Sequence, residues 1–168
     1  MPVSKILSDS LTAGVGGKTL QMIRAAAAAR VAGSVTAYTL IDTGVTASIT
    51  PSSSSSRILI LSQINMNAAT ATYHFSLIKR SIGGGTEAAV TGANQYGNTF
   101  IYKAGGEWLT MSTMVIDEPA TTSAVAYKIY WTTHNNTTYN IGYNASGGGD
   151  NGNSLFLIEL GPYFFFFF

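Results

Sequence analysis

Two short motifs in this chain carry the residue types of a nucleotide-binding site. Residues 12–19, TAGVGGKT, end in the pattern of a phosphate-binding loop, and residues 114–118, MVIDE, end in carboxylates of the kind that support Mg²⁺. The loop also needs a glycine five residues before Gly17, where Thr12 stands, and a helix that begins at Lys18. A helix-poor chain cannot build the parallel α/β sheet of such enzymes. We therefore expect an arm and an ordinary strand end.

Metal chemistry has few ligands to draw on. The only imidazoles are His74, in an alternating strand pattern, and His134, in a polar turn, and the chain has no cysteine. A zinc site would need carboxylates from distant segments, since no ligand spacing is present. Residues 150–153, DNGN, have the composition of a calcium loop, but Gly161 stands where the glutamate at the twelfth position belongs. We expect neither a metal nor a cofactor.

Hydrolytic chemistry is also unsupported by spacing. Asp117 and Glu118 are adjacent, so in a strand they point to opposite faces and cannot act as a carboxylate pair by themselves. No serine lies in a nucleophile elbow of the form GxSxG. The sequence therefore predicts a protein that is not an enzyme.

Aromatic and amide side chains near the C-terminal third offer a different chemistry, the recognition of sugars. Aromatic faces stack on sugar rings and amides match sugar hydroxyls, although aromatic residues on strands more often lie in a core or an interface. The candidate glycan or receptor contacts are Trp131, Tyr139, Tyr143 and Asn140.

Alternating side chains predict the strands that position these residues. Val125, Tyr127, Ile129 and Trp131 fall on one face of an extended segment. Residues 35–41 and 45–49 read as two short strands joined by a turn at Thr43 and Gly44. The other predicted strands are residues 58–64, 72–79, 88–90, 99–102, 109–116, 139–143 and 155–160. We therefore predict an all-β protein, an antiparallel two-sheet β-sandwich of jelly-roll type with a short N-terminal arm.

Two segments are ambiguous by composition. Residues 18–31 contain Ala25 to Ala29, a strong helix former, but the flanking KTLQMIR alternates like a strand, and both structures remain open. Residues 51–56 form a serine run that resembles a linker in composition. They span the length of an ordinary connection between strands, and their hydroxyls can bond their own backbone.

Composition excludes several classes of partner. The chain has 168 residues, of which 9 are basic and 8 acidic, and only 10% are charged, against about a quarter in an average globular protein. A net charge of +1 predicts no nucleic-acid partner, because such binders usually show a basic patch. No apolar run reaches the roughly 20 residues of a membrane span, and the N-terminus lacks the apolar segment of a signal peptide.

Both ends of the chain are predicted to make assembly contacts. We expect an attachment arm over residues 1–17, a sandwich domain over residues 18–161 and a hydrophobic tail over residues 162–168. The tail would aggregate if exposed, so we expect it to be buried against a neighbouring subunit. The predicted assembly contacts are Ile6, Leu7 and Leu11 in the arm and Tyr163, Phe164, Phe165, Phe166, Phe167 and Phe168 in the tail.

Four segments carry a resemblance to a known family, namely GKTLQMIR (17–24), TGVTASITPSSSSSRILI (43–60), DEPATTSAVAYKI (117–129) and LFLIEL (155–160). The specific ones are residues 43–60, where an apolar strand, a turn rich in proline and serine, a basic residue and a second apolar strand follow one another, and residues 117–129 with the closing strand. Through these segments residues 17–160 resemble a domain of tailed-phage virion proteins, especially the tail-fibre-like proteins of cyanophages and other marine phages. The resemblance implies a jelly-roll domain similar to tumour necrosis factor, and it makes residues 20–24 extended.

The resemblance also implies a function. It points to a non-enzymatic structural protein located in the virion, displayed as a trimeric short fibre, spike or capsid decoration in contact with other capsid or tail proteins. The alternative is a carbohydrate-binding adhesin module of a tail fibre, whose partner would be a glycan of the host surface.

Overall fold

The structure is a computed structural model that describes residues 19–26, 30–90, 92–93, 96–142 and 152–161. Within these ranges the chain forms strands and no helix, as the sequence predicted. None of the described segments is a helix long and apolar enough to cross a membrane. The strands are β1 (Thr19–Ala26), β2 (Val31–Val35), β3 (Ile41–Ile49), β4 (Arg57–Ala68), β5 (Thr72–Ile82), β6 (Ala88–Ala89), β7 (Thr99–Lys103), β8 (Trp108–Asp117), β9 (Val125–Thr133), β10 (Thr137–Ile141) and β11 (Ser154–Leu160).

These strands form two antiparallel sheets that pack as a sandwich, which confirms the predicted fold class. The six-stranded sheet has the order β1-β11-β4-β10-β2, with β8 paired to the other edge of β4. The five-stranded sheet has the order β3-β9-β5-β6, and β7 also pairs with β5. Strand β4 lies at the centre of its sheet, because β8 covers one edge while β11 and β10 share the other.

The core lies between the sheets and follows the alternation in the sequence. Strand β9 turns Val125, Tyr127, Ile129 and Trp131 inward, and none of the four is exposed. Burying each large apolar side chain stabilises the fold by about 1.5–3 kcal/mol relative to leaving it in water. Facing them from the six-stranded sheet are Ile58, Ile60, Ile64, Met66, Ile141, Leu155 and Leu157.

The ambiguity at residues 18–31 is settled in favour of a strand for residues 19–26. Strand β1 pairs with β11, placing Ile23 beside Leu157 and Ala25 beside Leu155, so its apolar side chains pack against the core. The ladder and this burial outweigh the helix propensity of alanine, which is a weak preference. Lys18 and the run 27–29 lie outside the described residues.

The predicted turn at Gly44 is wrong. The chain reverses earlier, where the Thr39 amide donates to the Thr36 carbonyl at 3.0 Å, and β3 then runs unbroken through Gly44. The register of β3 against β9 shifts between Asp42 and Thr46, and Gly44 has a φ of 74°, a conformation that glycine adopts at little cost. The glycine therefore marks a bulge within a strand.

The serine-rich segment 51–56 is a connection between strands, as its length predicted. The backbone amide and the hydroxyl of Ser52 both donate to the Glu159 carboxylate at 2.7 Å, and Gln21 donates to the same carboxylate at 2.6 Å. Glu159 is fully buried, and although burial opposes its ionisation, hydrogen bonding from the serine-rich segment, through Ser56 and Ser52, and from Gln21 outweighs it and lowers the pKa of Glu159. The loop is thereby tied to β1 and β11.

Candidate functional site: an aromatic patch

Asp117 has a structural partner and is not open to solvent. Its buried carboxylate forms an ion pair with Arg80 of β5 and accepts a hydrogen bond from the Tyr127 hydroxyl of β9 at 2.8 Å. Burial raises the pKa of Tyr127 well above its ordinary value, and the Asp117 charge adds to the effect. Glu118 follows the last residue of β8 and is exposed. The cluster joins β8 of one sheet to two strands of the other.

The two imidazoles lie in different environments. His74 is fully buried, stacks on Trp131 with ring centroids 5.7 Å apart, and has no hydrogen-bond partner on either ring nitrogen. Burial lowers the pKa of His74 to about 4, and the nearby Lys103 charge contributes. His134 lies in the exposed β9–β10 turn. Among the described residues no three His, Asp or Glu side chains converge on a possible metal position.

The predicted glycan contacts do not form one exposed surface. Trp131 is fully buried and Tyr139 is only 7% exposed, with ring centroids 4.9 Å apart inside the sandwich. Asn140 points to the other side of β10, where its side-chain oxygen accepts a hydrogen bond from Arg30. The placement of Trp131 on a binding surface is therefore corrected, because it continues the inward face of β9. Tyr143 lies outside the described residues and stays a prediction.

The predicted assembly contacts also lie outside the described residues. These are Ile6, Leu7 and Leu11 in the arm and the tail residues from Tyr163 to Phe168. Their roles, and the domain boundaries drawn beside them, stay predictions.

An exposed aromatic cluster exists elsewhere, on the outer face of the five-stranded sheet. Strands β5 and β7 pair Tyr73 with Tyr102 and Phe75 with Phe100, so these four rings lie side by side on one face. Rings from two turns and from the segment before β7 extend the cluster. We call this surface the aromatic patch, and its members are Tyr38, Tyr73, Phe75, Tyr96, Phe100, Tyr102 and His134.

The patch has a floor and exposed walls. Phe75 is only 7% exposed and forms the floor, with its ring centroid 5.3 Å from that of Tyr96 and 6.3 Å from that of Phe100. Phe100 and Tyr102 are the most open rings, at 60% and 59% exposure. Because tyrosine combines an apolar ring with a hydroxyl, such a surface can stack on a ligand and bond it as well.

Backbone contacts hold Tyr38 in its place in the patch. Tyr38 has a φ of 60°, which a residue with a side chain adopts at a cost of about 1 kcal/mol or more. The Tyr38 amide donates to the Thr133 carbonyl at 2.7 Å, and the Ala37 amide donates to the Asn136 side chain at 2.8 Å. These bonds place Tyr38 against Tyr96, in a stacked pair at 5.1 Å, and against His134 at 5.4 Å.

The opposite end of the same face is ionic. The Tyr130 hydroxyl donates to Glu87 at 2.6 Å, Lys128 lies 2.9 Å from the same carboxylate, and Lys79 lies 4.9 Å above the Tyr130 ring. Burial raises the pKa of Tyr130 to about 12, with Glu87 adding to the effect. The Tyr130 hydrogen bond, followed by that of Lys128, lowers the pKa of Glu87.

Sequence reasoning missed the aromatic patch. Tyr73 and Phe75 lie on one face of the predicted strand 72–79, and Phe100 and Tyr102 lie on one face of the predicted strand 99–102, so the sequence did contain two aromatic strand faces. The other face of the first of these strands carries His74, Ser76 and Ile78, so the pattern favoured burial of the more apolar face with Tyr73 and Phe75, which the structure places on the outer side of the sheet. Tyr38 and Tyr96 lie outside strands, where periodicity carries no information.

Comparison with known proteins does not assign the chain to a family. No family model matches it, and no curated protein matches it in sequence. Similar solved chains come from infectious bursal disease virus. A chain from the structure of the Gx strain is 12% identical in sequence and has a TM-score of 0.44; the match covers 88% of this chain and 37% of the viral chain. A chain from the Gt strain is 11% identical, with a TM-score of 0.45, and the match covers 86% of this chain and 38% of the viral chain. A chain from the VP2 subviral particle is 11% identical, with a TM-score of 0.39, and the match covers 84% of this chain and 37% of the viral chain. The chain thus spans little more than a third of those proteins.

Proposed function

We propose that this protein is a non-enzymatic structural component of a virion, assembled as a homotrimer and displayed on the particle surface. The observation that carries the proposal is the outer face of the six-stranded sheet, where Met22 and Met114 are 64% and 75% exposed beside Ile116. Soluble monomers rarely expose large contiguous apolar patches. A subunit that packs against other subunits needs such a surface.

The ionisable groups support a structural role through their contacts. Asp117 is held by Arg80 and Tyr127, and Glu159 is held by Ser52 and Gln21. Each carboxylate is held by residues from segments that are distant in sequence, and its contacts therefore stabilise the fold. The low content of charge also suits a surface that is covered by neighbours, because fewer ions must be desolvated on assembly.

Within this class, we place the protein as a short fibre, a spike or a capsid decoration of a tailed phage, in contact with other capsid or tail proteins. Two features support this placement beside the resemblance of residues 17–160. The fold is a sandwich of the expected type, and β1 is extended where the resemblance implied an extended segment.

Sedimentation of the full chain tests the assembly state. We expect a species of about three times the 17.7 kDa chain mass at micromolar concentration. Antibody labelling of purified phage particles then tests the location, with particles that lack this protein as the control. A chain that stays monomeric and is absent from purified particles would contradict the proposal.

A second function is favoured by the aromatic patch, namely recognition of a host-surface glycan. The patch replaces Trp131 and Tyr139 as the stacking surface, because it offers exposed rings together with the nearby amide side chains of Asn135 and Asn136. An adhesin role and a structural role are compatible within one virion protein.

A glycan array with matched variants tests this second function. Phe100→Ala and Tyr102→Ala should each weaken binding about tenfold, since each removes one stacking ring. Ser112→Ala, on the outer side of the other sheet, is the control and should bind normally. Binding that persists in both aromatic variants, or that is absent from the wild-type chain, would exclude the patch as a glycan site.

A further inference from the structure

The outer side of the six-stranded sheet carries a continuous apolar surface. Pairing of β1, β11, β4 and β8 aligns their outward side chains in two rows that run across all four strands. We call this surface the aliphatic face. One row is Met22, Ile158, Leu59 and Ile116, and the other is Arg24, Phe156, Leu61 and Met114.

The aliphatic face is open and almost uncharged. Met114, Met22 and Ile116 are 75%, 64% and 45% exposed, and the other apolar members are half-buried by their neighbours. Its one charge is Arg24, whose guanidinium already lies over the Phe156 ring at 5.7 Å. Four strands at a spacing of about 4.8 Å make the rows roughly 15 Å wide.

A polar row closes one end of the face. Ser154, Gln63 and Ser112 are aligned across β11, β4 and β8, next to the row that contains Met114. A shallow depression lies at this boundary, lined by Leu61, Gln63, Met114 and Phe156 among others. The face therefore has a defined limit and a recess that fits one or two large side chains.

The C-terminal tail, residues 162–168, comes directly after β11 in the chain. Strand β11 contributes Phe156 and Ile158 to the aliphatic face, and Gly161 is the last described residue before the tail. Seven residues reach about 23–25 Å when extended, which exceeds the length of the face along β11. Pro162 disfavours continuation of the β11 ladder, because it has no amide hydrogen to donate.

The composition of the tail requires cover on both of its sides. Neighbouring side chains of an extended segment point in opposite directions, so a tail that docks in extended form would present the rings of Tyr163 and of Phe164 to Phe168 on both sides. Docking on its own sheet would cover one side only. A position between two subunits covers both, and it matches a nearly neutral tail to a nearly neutral face.

We infer that the tail of one chain docks on the aliphatic face of a neighbouring copy and so holds the assembly together. This inference rests on the proposed homo-oligomer and identifies the contact that builds it. Each phenylalanine buries about 150–250 Å² when fully covered, so a few docked rings supply a contact of substantial size.

Photo-crosslinking of the full chain tests where the tail lies. Met114 is replaced by a photoreactive phenylalanine analogue, and this variant is mixed with wild-type chains labelled with nitrogen-15, so that crosslinks between two chains can be distinguished by mass. We expect crosslinks from position 114 to the heavy peptide that contains residues 163–168. The same analogue at Phe100, on the other sheet, is the control and should not reach the tail.

Sedimentation of three variants gives an independent measurement. Removal of residues 163–168 and the substitution Met114→Glu should each weaken self-association about 100-fold, since the latter places a charge in an apolar contact. Phe100→Glu, with the same change of charge on the opposite face, should leave self-association unchanged. The circular dichroism spectrum of each variant is measured as a check on folding, and both glutamate variants should retain the wild-type spectrum because Met114 and Phe100 are exposed.

The outcomes separate this inference from the proposed function. An oligomer that persists without the tail, or crosslinks that stay within one chain, would overturn the inference and leave the homo-oligomer standing. A full chain that is monomeric at every concentration would overturn both. Loss of the oligomer in Phe100→Glu, with no effect of Met114→Glu, would move the contact to the other sheet.

Discussion

The two outer faces of this sandwich differ in chemistry although they are built from the same kind of strand. The aliphatic face uses Met22, Met114 and Ile116, which fit an apolar partner of variable shape. The face of the five-stranded sheet has tyrosines and Phe100 at one end and an ionic cluster at Lys128 at the other, which suit a wetter contact. One face is therefore apolar and nearly uncharged, whereas the other combines exposed aromatic rings with hydrogen-bonding and charged groups.

The largest expected loss of stability comes from a substitution in the core between the two faces. Trp131→Ala should lower the free energy of unfolding by about 4 kcal/mol, because it leaves a cavity beside His74 and Tyr139. Phe100→Ala, on the aromatic patch, should change it by about 0.5 kcal/mol or less. Urea denaturation measures both. Equal losses would mean that the patch is part of the core, and the contrast between surface and core would fail.

The second-largest expected loss of stability comes from a substitution at Asp117, whose contacts join the two sheets. Asp117→Asn should lower the free energy of unfolding by about 3 kcal/mol, since it leaves Arg80 without its counter-charge beside a buried amide. Glu118→Gln, one position later and exposed, is the matched control and should cost little. Guanidinium denaturation distinguishes them. A small effect of Asp117→Asn would mean that other contacts join the sheets.

A pH-dependent effect probes the layer beneath the aromatic patch. The pKa of His74 falls from 6.5 in the unfolded chain to about 4 in the fold, so the unfolded chain binds the proton more readily. Stability is full above pH 6.5 and is lost as the pH falls toward 4, by about 2 kcal/mol between pH 7.5 and 5. The variant His74→Phe should flatten this dependence in urea titrations. If the free energy of unfolding of His74→Phe still fell between pH 7.5 and 5, another ionisable group would be responsible for the pH dependence.

The smallest effect concerns the ionic end of the five-stranded sheet. Glu87→Gln removes the nearer of the two carboxylates that pair with Lys128, the other being Asp42, and it weakens the hydrogen bond from Tyr130; these contacts are near the surface. We expect a slight loss of thermal stability that disappears in about 1 M salt, where exposed charges are screened. Met114→Ala, on the aliphatic face, should show no such dependence on salt. Identical salt profiles would remove the electrostatic distinction between the faces.

Alternation in the sequence predicted most strands but not their neighbours. Residues 125–131 alternate so regularly that their extended structure and inward side follow from periodicity alone, whereas residues 58–64 are a short apolar run that predicts a strand but not which of its sides faces inward. The same alternation places Trp131 with Tyr127 and Ile129, and this information outweighs the general tendency of tryptophan to bind sugars. Periodicity does not encode pairing, so the position of β11 beside β4 in the interior of the sheet required the structure.

The aromatic patch and the aliphatic face depend on contacts that a linear pattern does not contain. Tyr38 enters the patch because its turn is bonded to Thr133, nearly a hundred residues away along the chain. The aliphatic face arises from register across four strands, and a shift of one residue in any of them would turn its members inward. Both sites are therefore properties of tertiary structure.

The position of β4 also has a mechanical consequence. This strand is hydrogen-bonded along one edge to β8 and along the other to β11 and β10 in succession. Extracting it requires breaking two ladders at once, whereas a strand at the edge of a sheet can be peeled away one bond at a time. Under mechanical tension the strands at the edges of the sheet would therefore separate first, and β4 would stay paired longest.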